Sequence, residues 1–383
     1  MAKPTNTGGK GRNSRGVVLL AAGGTGGHLF PAEALAHELV ARGYEVHLAT
    51  DARAAKYSGS FPASEIHYIA SATIFGRSPV VLAGAGLALL RGYLQSRRLV
   101  RKLWPVTVIG FGGYPTVPPV LAAVHAGVPA LIHDSNAVMG RANRLLAPRV
   151  RLVAMGFEAG VRQGKAVITG NPVRPAVIEA AKIAYGRRKA GDPFHLLVFG
   201  GSQGAQFFSN AMPEAIALLD EAIRRQLRIV HQARPEDQER VVARYRELGT
   251  KAEVAPFFTD LPKRIADAHL VIARGGAGTV GELAVIGRPG ILVPLPHAID
   301  QDQQLNAQAM VNAGAAFIEP QKDLTRERLA NLLSEAVAEP ERLASMAEKA
   351  KKTGKPDAAA RLADCVEHVA KGGRTNDFEG QSA

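Results

Sequence analysis

The sequence has almost no sulfur chemistry: Cys365 is the one cysteine in 383 residues. A lone thiol cannot close an internal disulfide, and without a cysteine cluster no thiolate metal centre is available, so a reducing compartment is expected. Tryptophan is also single and aromatics make up 5% of the chain, too few to interleave with cations as a base-stacking surface requires, which argues against a nucleic-acid partner. No window reaches about 18 uninterrupted apolar residues, so no membrane-spanning helix is expected. The opening MAKPTNTGGKGRNSRG is basic and polar but runs straight into VVLLAAGG, too short for the apolar core of an export signal. Residues 1–16 are therefore expected to form a disordered basic tail. Acidic residues are missing between Glu65 and Asp134, where Arg77, Arg91, Arg97, Arg98, Arg101 and Lys102 all fall, and the net charge is +13. A one-sided basic surface of this kind attracts polyanions: nucleic acid, anionic lipid or a phosphorylated substrate.

What the chain does have is ample apolar material, 46% of residues, and a length that favours two cores over one. Its 40 glycines and 23 prolines show no collagen-like period and read as turn residues. Strand-like runs VVLLAA, EVHLAT, EIHYIA, VTVIGF, PALIHD, RLVAMG and AVITG alternate with helical segments in the first half. The cycle restarts with FHLLVFGG and continues through LRIVHQ, KAEVAPF, HLVIAR, GILVPL and AAFIEP. Two such cycles predict an α/β protein of two Rossmann-like, doubly wound domains with parallel sheets. The first is expected over 17–175, a proline-containing linker over 176–193, the second domain over 194–352, a terminal helix over 353–370 and a disordered polar tail over 371–383.

In such folds ligands sit outside the carboxyl ends of the strands, where glycines let backbone approach a phosphate at a helix N-terminus. GGTGGH and GGSQGA lie at such ends, yet neither is the spaced dinucleotide fingerprint, and only Glu45 and Asp51 stand loosely where a ribose clamp would be needed. Each loop alone is open between a phosphate site and an ordinary turn. GFGGYPTVPP is a third glycine turn, stiffened by prolines. A fourth, RGGAGTVGELAVIG, puts Ala277, Gly278 and Thr279 at a helix N-terminus with Arg274 on its approach, an arrangement suited to a diphosphate. Glu282 there is either a favourable charge near the helix start or a partner for ribose hydroxyls. Asp300 and Asp302 formally spell the DxD of metal-dependent sugar transferases, while Gln303, Gln304 and Asn306 are either sugar-hydroxyl partners or a polar loop.

The stretch SPVVLAGAGLALLRGYLQSRRLVRKLWP keeps Ala83, Leu87, Leu90 and Leu94 at helical spacing and continues in Arg98, Arg101 and Lys102. Apolar surface followed by clustered cations is the pattern of an interfacial membrane contact, and equally of a buried stripe with a solvated basic end.

Taken in order from Val17 to about Val369, AGGTGGHLFPAEALAHEL, GFGGYPTVPPVLAA, GNPVR, FGGSQGAQFFSN, ARGGAGTVGELAVIGRPGILVPLPHA and DQQLNAQAMVNAGAA resemble the MurG family of bacterial UDP-N-acetylglucosamine transferases, which convert lipid I to lipid II in peptidoglycan synthesis. The resemblance implies a GT-B fold with a deep cleft between the domains, the terminal helix packing back on the first. It implies an inverting displacement in which the C4 hydroxyl of the N-acetylmuramyl unit attacks C1 of GlcNAc opposite UDP. The hydroxyl needs a base, and an imidazole titrating near neutrality suits that, which makes His28 the first candidate. Asp134 is its rival, in HDSN where the family usually reads HEQN.

For the donor, the resemblance implies Ser202, Gln203, Gly204, Arg274, Ala277, Gly278 and Thr279 around the diphosphate, Glu282 on the ribose, Phe258 or its neighbour Phe257 offering backbone to uracil, and Gln303 on GlcNAc hydroxyls. Asn136 and Arg174 match cleft positions facing the sugar. Asp302 stands where relatives carry Gln or His, and HQARPE departs from a glycine-containing turn while keeping His231 and Gln232. Thr25, Gly26 and Gly27 match a cleft loop assigned both to the donor side and to the lipid diphosphate, and Gly112, Gly113 and Tyr114 match an acceptor loop. Leu87, Leu90, Leu94, Arg98, Arg101 and Lys102 then become an expected patch on an anionic membrane surface. The implied enzyme is peripheral on the cytoplasmic face of the inner membrane, uses UDP-GlcNAc and lipid I, needs no metal or other cofactor, and works beside other cell-wall synthesis proteins. Two alternatives stay open: another UDP-sugar enzyme of the same fold, such as a 2-epimerase, and a non-enzymatic UDP-sugar-binding membrane scaffold.

Overall fold

The computed structural model describes residues 14–56, 61–72, 79–158, 166–189, 191–201, 204–296 and 301–378. The first unit runs β1 (Val17–Ala21), α1 (Gly26–Ala41), β2 (Glu45–Thr50), β3 (Glu65–Tyr68), α2 (Pro79–Leu103), β4 (Thr107–Gly110), α3 (Val117–His125), β5 (Ala130–Asp134), α4 (Arg141–Leu146), β6 (Leu152–Met155) and β7 (Val167–Ile168). After α5 (Pro175–Ala180) the second unit begins with β8 (Phe194–Phe199), α6 (Gln206–Ala217), α7 (Glu221–Gln226), β9 (Leu227–Gln232), α8 (Gln238–Glu247) and β10 (Lys251–Ala255). It continues through α9 (Leu261–Asp267), β11 (Leu270–Ala273), α10 (Ala277–Ile286), β12 (Gly290–Leu292), α11 (Asp302–Asn312) and β13 (Ala316–Ile318). Helices α12 (Arg326–Ala338), α13 (Pro340–Thr353) and α14 (Ala358–Ala370) close the chain.

Both sheets are parallel throughout, ordered β3-β2-β1-β4-β5-β6-β7 and β10-β9-β8-β11-β12-β13. The central strands are continuous apolar runs because helices cover both faces. In β1, Val18 and Leu20 face a core shared with α1 and α14, whereas Leu19 faces one shared with α2 and α3. The second sheet is likewise sandwiched, α6, α8 and α12 on one face and α5, α9, α10 and α11 on the other. The chain crosses between the units twice, before β8 and after α13, and α14 packs on α1 of the first unit.

The chain departs from a free tail after Ala370: Arg151 donates to the Gly372 carbonyl at 2.6 Å, Thr375 N donates to the Arg151 carbonyl at 3.1 Å and Phe378 packs against the first core. These contacts hold the segment as far as Phe378; the rest of the expected tail, 379–383, and of the expected N-terminal tail, 1–13, lies outside the described residues. Residues 176–180, expected in the linker, belong with Pro175 to helix α5, which packs on α9 and α10.

Candidate active site

The carboxyl ends of the two sheets meet, which brings loops far apart in sequence to one place. From the first unit come the turns after β1, β4 and β5, and from the second those after β8, β11 and β12. Asn306 on α11, fully buried, ties the two sides: its Oδ1 accepts from Ala137 N at 2.7 Å, and its Nδ2 donates to Asn136 Oδ1 at 3.1 Å and to the Gly275 carbonyl at 3.3 Å. Gly275 must lack a side chain here, since a Cβ would collide with the carbonyl oxygen of Gln303.

His28 stands in the first turn of α1, after the N-cap Thr25, whose hydroxyl is 3.5 Å from His28 Nδ1. The ring lies over the turn after β4: a Cβ built on Gly112 would be 3.2 Å from His28 Cδ2 and 3.3 Å from Nε2, and one on Gly113 3.6 Å from Cε1. Both glycines have left-handed backbone, φ +90° and +75°, which bends the chain under the imidazole. Tyr114 begins the short turn Tyr114–Thr116 that follows. Burial pulls the His28 pKa below the ordinary imidazole value, while Asp134 and the Gly23 carbonyl pull the other way. The balance keeps a neutral imidazole, with a lone pair to offer, at neutral pH.

Asp134, at the end of β5 and 4% exposed, has both oxygens engaged. Oδ1 accepts from Asn136 N at 3.0 Å; Oδ2 accepts from Gly140 N at 2.8 Å and Asn143 Nδ2 at 2.9 Å. The carboxylate thus shapes the loop 135–140, and Asn143 reaches onward to within 3.3 Å of a Cβ on Gly112, linking that loop to the His28 turn. Sequence reasoning does not single out Asn143; a polar residue between the buried Ala142 and Leu146 of α4 is the one signal of it.

On the second unit, α10 begins at Ala277 with Gly276 as N-cap, and the amides of Ala277, Gly278 and Thr279 precede its first internal hydrogen bond, Val280 N to the Gly276 carbonyl. A Cβ on Gly278 would meet nothing within 4 Å, so this helix end is open. Glu282, one turn on, is 9% exposed; burial raises its pKa, offset in part by Arg174, whose Nη2 is 3.4 Å from Glu282 Oε1. Arg174 also lies over the Phe30 ring of α1, 4.0 Å from its centroid, so Phe30, Arg174 and Glu282 form a second bridge between units.

Other expected site residues are placed differently. Arg274 turns from the α10 end: its guanidinium donates to the Val293 and Pro294 carbonyls at 3.1 and 3.3 Å and to Gln321 Oε1 at 2.7 Å, and it lies near the Phe207 and Phe208 rings. Gln303 Oε1 accepts from Leu295 N at 3.0 Å, and Asp302 Oδ1 from Gln303 N at 2.8 Å, pinning the loop after β12. The Phe258 side chain is buried beneath Arg264. Gly204 closes the turn after β8 with φ +69° and its N–H on the Gly201 carbonyl; Ser202, Gln203 and Asp300 lie outside the described residues. Leu87, Leu90 and Leu94 are 70%, 55% and 46% exposed along α2, on a separate surface that continues in the exposed Arg98, Arg101 and Lys102.

Two family models match the chain: the glycosyltransferase family 28 N-terminal domain over residues 18–155 and the family 28 C-terminal domain over 195–362. Among curated relatives, a protein of Chelativorans sp. named UDP-N-acetylglucosamine–N-acetylmuramyl-(pentapeptide) pyrophosphoryl-undecaprenol N-acetylglucosamine transferase is 58% identical over 366 residues, 95% of this chain and 98% of the relative. A protein of the same name from Sinorhizobium medicae is 56% identical over 368 residues, 95% of this chain and 98% of the relative. Among solved structures, MurG of Acinetobacter baumannii superposes with a TM-score of 0.75 at 30% identity, covering 92% of this chain and 99% of that one.

Proposed function

The chain belongs to glycosyltransferase family 28, in its MurG branch, and from that membership we infer how its site moves N-acetylglucosamine from UDP-N-acetylglucosamine to the C4 hydroxyl of the muramyl unit of lipid I, making lipid II. The observation that carries the reading is the placement of a neutral His28 over the Gly112–Gly113 turn, where the two units meet. In our reading His28 takes the proton of the C4 hydroxyl as its oxygen bonds to C1 of the sugar and the C1–O bond to UDP breaks. The nucleophile enters opposite the leaving group, so the α-linked donor yields a β linkage.

The leaving diphosphate gains negative charge, and the open end of α10 is suited to receive it: the amides of Ala277 to Thr279 have no partner within the helix and stand at the positive end of its dipole. This charge balance calls on no metal. In this reading Glu282 accepts from ribose hydroxyls, supported by its ion pair with Arg174, which keeps its carboxylate oriented. Asp134 acts through structure and field, holding loop 135–140 and raising the basicity of His28. Arg274 and Gln303, by their present partners, hold the loop after β12.

No helix among the described residues is long and apolar enough to cross a membrane. The exposed leucines and cations of α2 fit a peripheral contact with the cytoplasmic face of an anionic bilayer, where a polyprenyl-linked acceptor resides. The direct test supplies lipid I and UDP-GlcNAc labelled in the sugar. Stoichiometric UDP release with label in a disaccharide lipid is expected; no UDP release, or epimerised UDP-sugar without acceptor, would overturn the reading.

A further inference from the structure

Away from the cleft, at the β3 edge of the first sheet, four side chains stand in a line that no part of the transfer reaction uses. In the register of β2 and β3, His47 is opposite Glu65 and Ala49 opposite His67, so Glu45, His47, Glu65 and His67 share the face that looks toward α2. Glu45 Oε1 is 3.0 Å from His47 Nε2, His47 Nδ1 is 2.9 Å from His67 Nε2, and His67 Nδ1 is 3.6 Å from Glu65 Oε1. His47 is 4% exposed, while the Glu65 side chain opens to solvent.

Two neutral imidazoles carry two ring hydrogens, and the two short contacts, Glu45 to His47 and His47 to His67, use both; the 3.6 Å approach of Glu65 to His67 Nδ1 is too long for a hydrogen bond. Two imidazoles and a carboxylate gathered at one strand edge are a donor set for a metal ion. Ligand atoms of His47, His67 and Glu65 already lie within 4.8 Å of one another. Two nitrogens on a tetrahedral zinc at ~2.0–2.1 Å stand about 3.3 Å apart, so His47 Nδ1 and His67 Nε2 need open by only a few tenths of an ångström, while the exposed Glu65 carboxylate swings from the Nδ1 side of His67 to join them. Glu45 then occupies the outer position usual for metal-bound histidine, a carboxylate on the far N–H that fixes Nδ1 as the ligating atom.

We infer that His47 Nδ1, His67 and Glu65 form a site for a borderline divalent ion of the zinc class, backed by Glu45, that ties edge strand β3 to β2 beneath the basic end of α2. Two nitrogens and one carboxylate favour Zn²⁺ over Mg²⁺, which prefers all-oxygen shells. The site has no part in the glycosyl transfer and stands or falls separately from it.

The test uses the full chain, stripped with chelator and titrated with ZnCl2 by calorimetry, with anomalous diffraction at the zinc edge on crystals soaked in the same salt. One zinc at the β2–β3 edge is expected, with binding weakened at least a hundredfold in H67Q and about tenfold in E45Q, and no heat from MgCl2. No anomalous peak between His47 and His67 in wild-type crystals, or zinc affinity unchanged in H67Q, would overturn the inference. The wild-type peak needs no variant, so a misfolded H67Q does not remove the test.

Discussion

Replacing Asp134 and replacing His28 should damage the protein in different ways, because one side chain is built into the loop and the other into the cleft. Asp134→Ala removes the acceptor of three hydrogen bonds, from Asn136 N, Gly140 N and Asn143 Nδ2. Bonds to a charged acceptor contribute ~1.5–3 kcal/mol each and are not additive once water enters, so the loss should be about 3–5 kcal/mol. At ~2–4 °C per kcal/mol for units of this size, the melting temperature should fall by about 10 °C. Asp134→Asn can keep the two bonds at the Oδ2 position by presenting its carbonyl there, leaving one amide facing the Asn136 N–H, a cost of about 1–3 kcal/mol. His28→Gln removes no buried acceptor of this kind and should stay within ~1 kcal/mol of wild type, yet lose about 10²–10⁴ in kcat if the imidazole is the base. The assay pairs thermal melting with UDP release at saturating lipid I and UDP-GlcNAc. Asp134→Asn with wild-type melting and a thousandfold loss of kcat, together with His28→Gln at near-normal kcat, would refute the assignment and make Asp134 the base.

Three further outcomes follow from neighbouring features. Arg174→Met leaves the buried Glu282 carboxylate without its cation; its pKa should rise further and UDP affinity should drop about tenfold, read by calorimetry, and unchanged affinity would remove Arg174 from the donor site. The double variant Leu90→Glu, Arg98→Glu on the exposed face of α2 should lower binding to anionic vesicles in co-sedimentation while UDP affinity holds; equal vesicle binding would count against the patch. Burial holds His133 down to about 4 and His231 to about 3. Below pH 6.5 the unfolded chain takes up protons that these folded rings refuse, so their contribution is complete above pH 6.5 and falls as pH drops, by up to ~1.4 kcal/mol per unit for each ring. The urea midpoint should decline between pH 7 and 5, less so in His231→Gln; a flat midpoint would contradict it.

The architecture was readable because parallel strands buried on both faces are bare apolar runs such as VVLLA, and β1, β4, β8 and β11 run into glycine turns. His28 was readable for the same reason: a titratable ring in the first turn of a helix, beside those glycines, stands out in one dimension. Partners fixed by long-range packing were not. Arg274 sits on the approach to α10 in sequence, yet strand end and Gln321 claim its guanidinium. Asn306 reads as one polar residue among several in DQQLNAQ, and only the meeting of the two units makes it the bond between Ala137 and Gly275. His47 and His67 follow no metal spacing along the chain; strand register alone brings them together.

The pH dependence of kcat, measured with saturating donor and acceptor for wild type and His28→Gln, tests the central claim most directly. The account predicts an acid limb in wild type with an apparent pKa below the ordinary imidazole value of about 6.5, as burial of His28 requires, and a residual rate in His28→Gln that lacks this limb. The same limb in both proteins would contradict it.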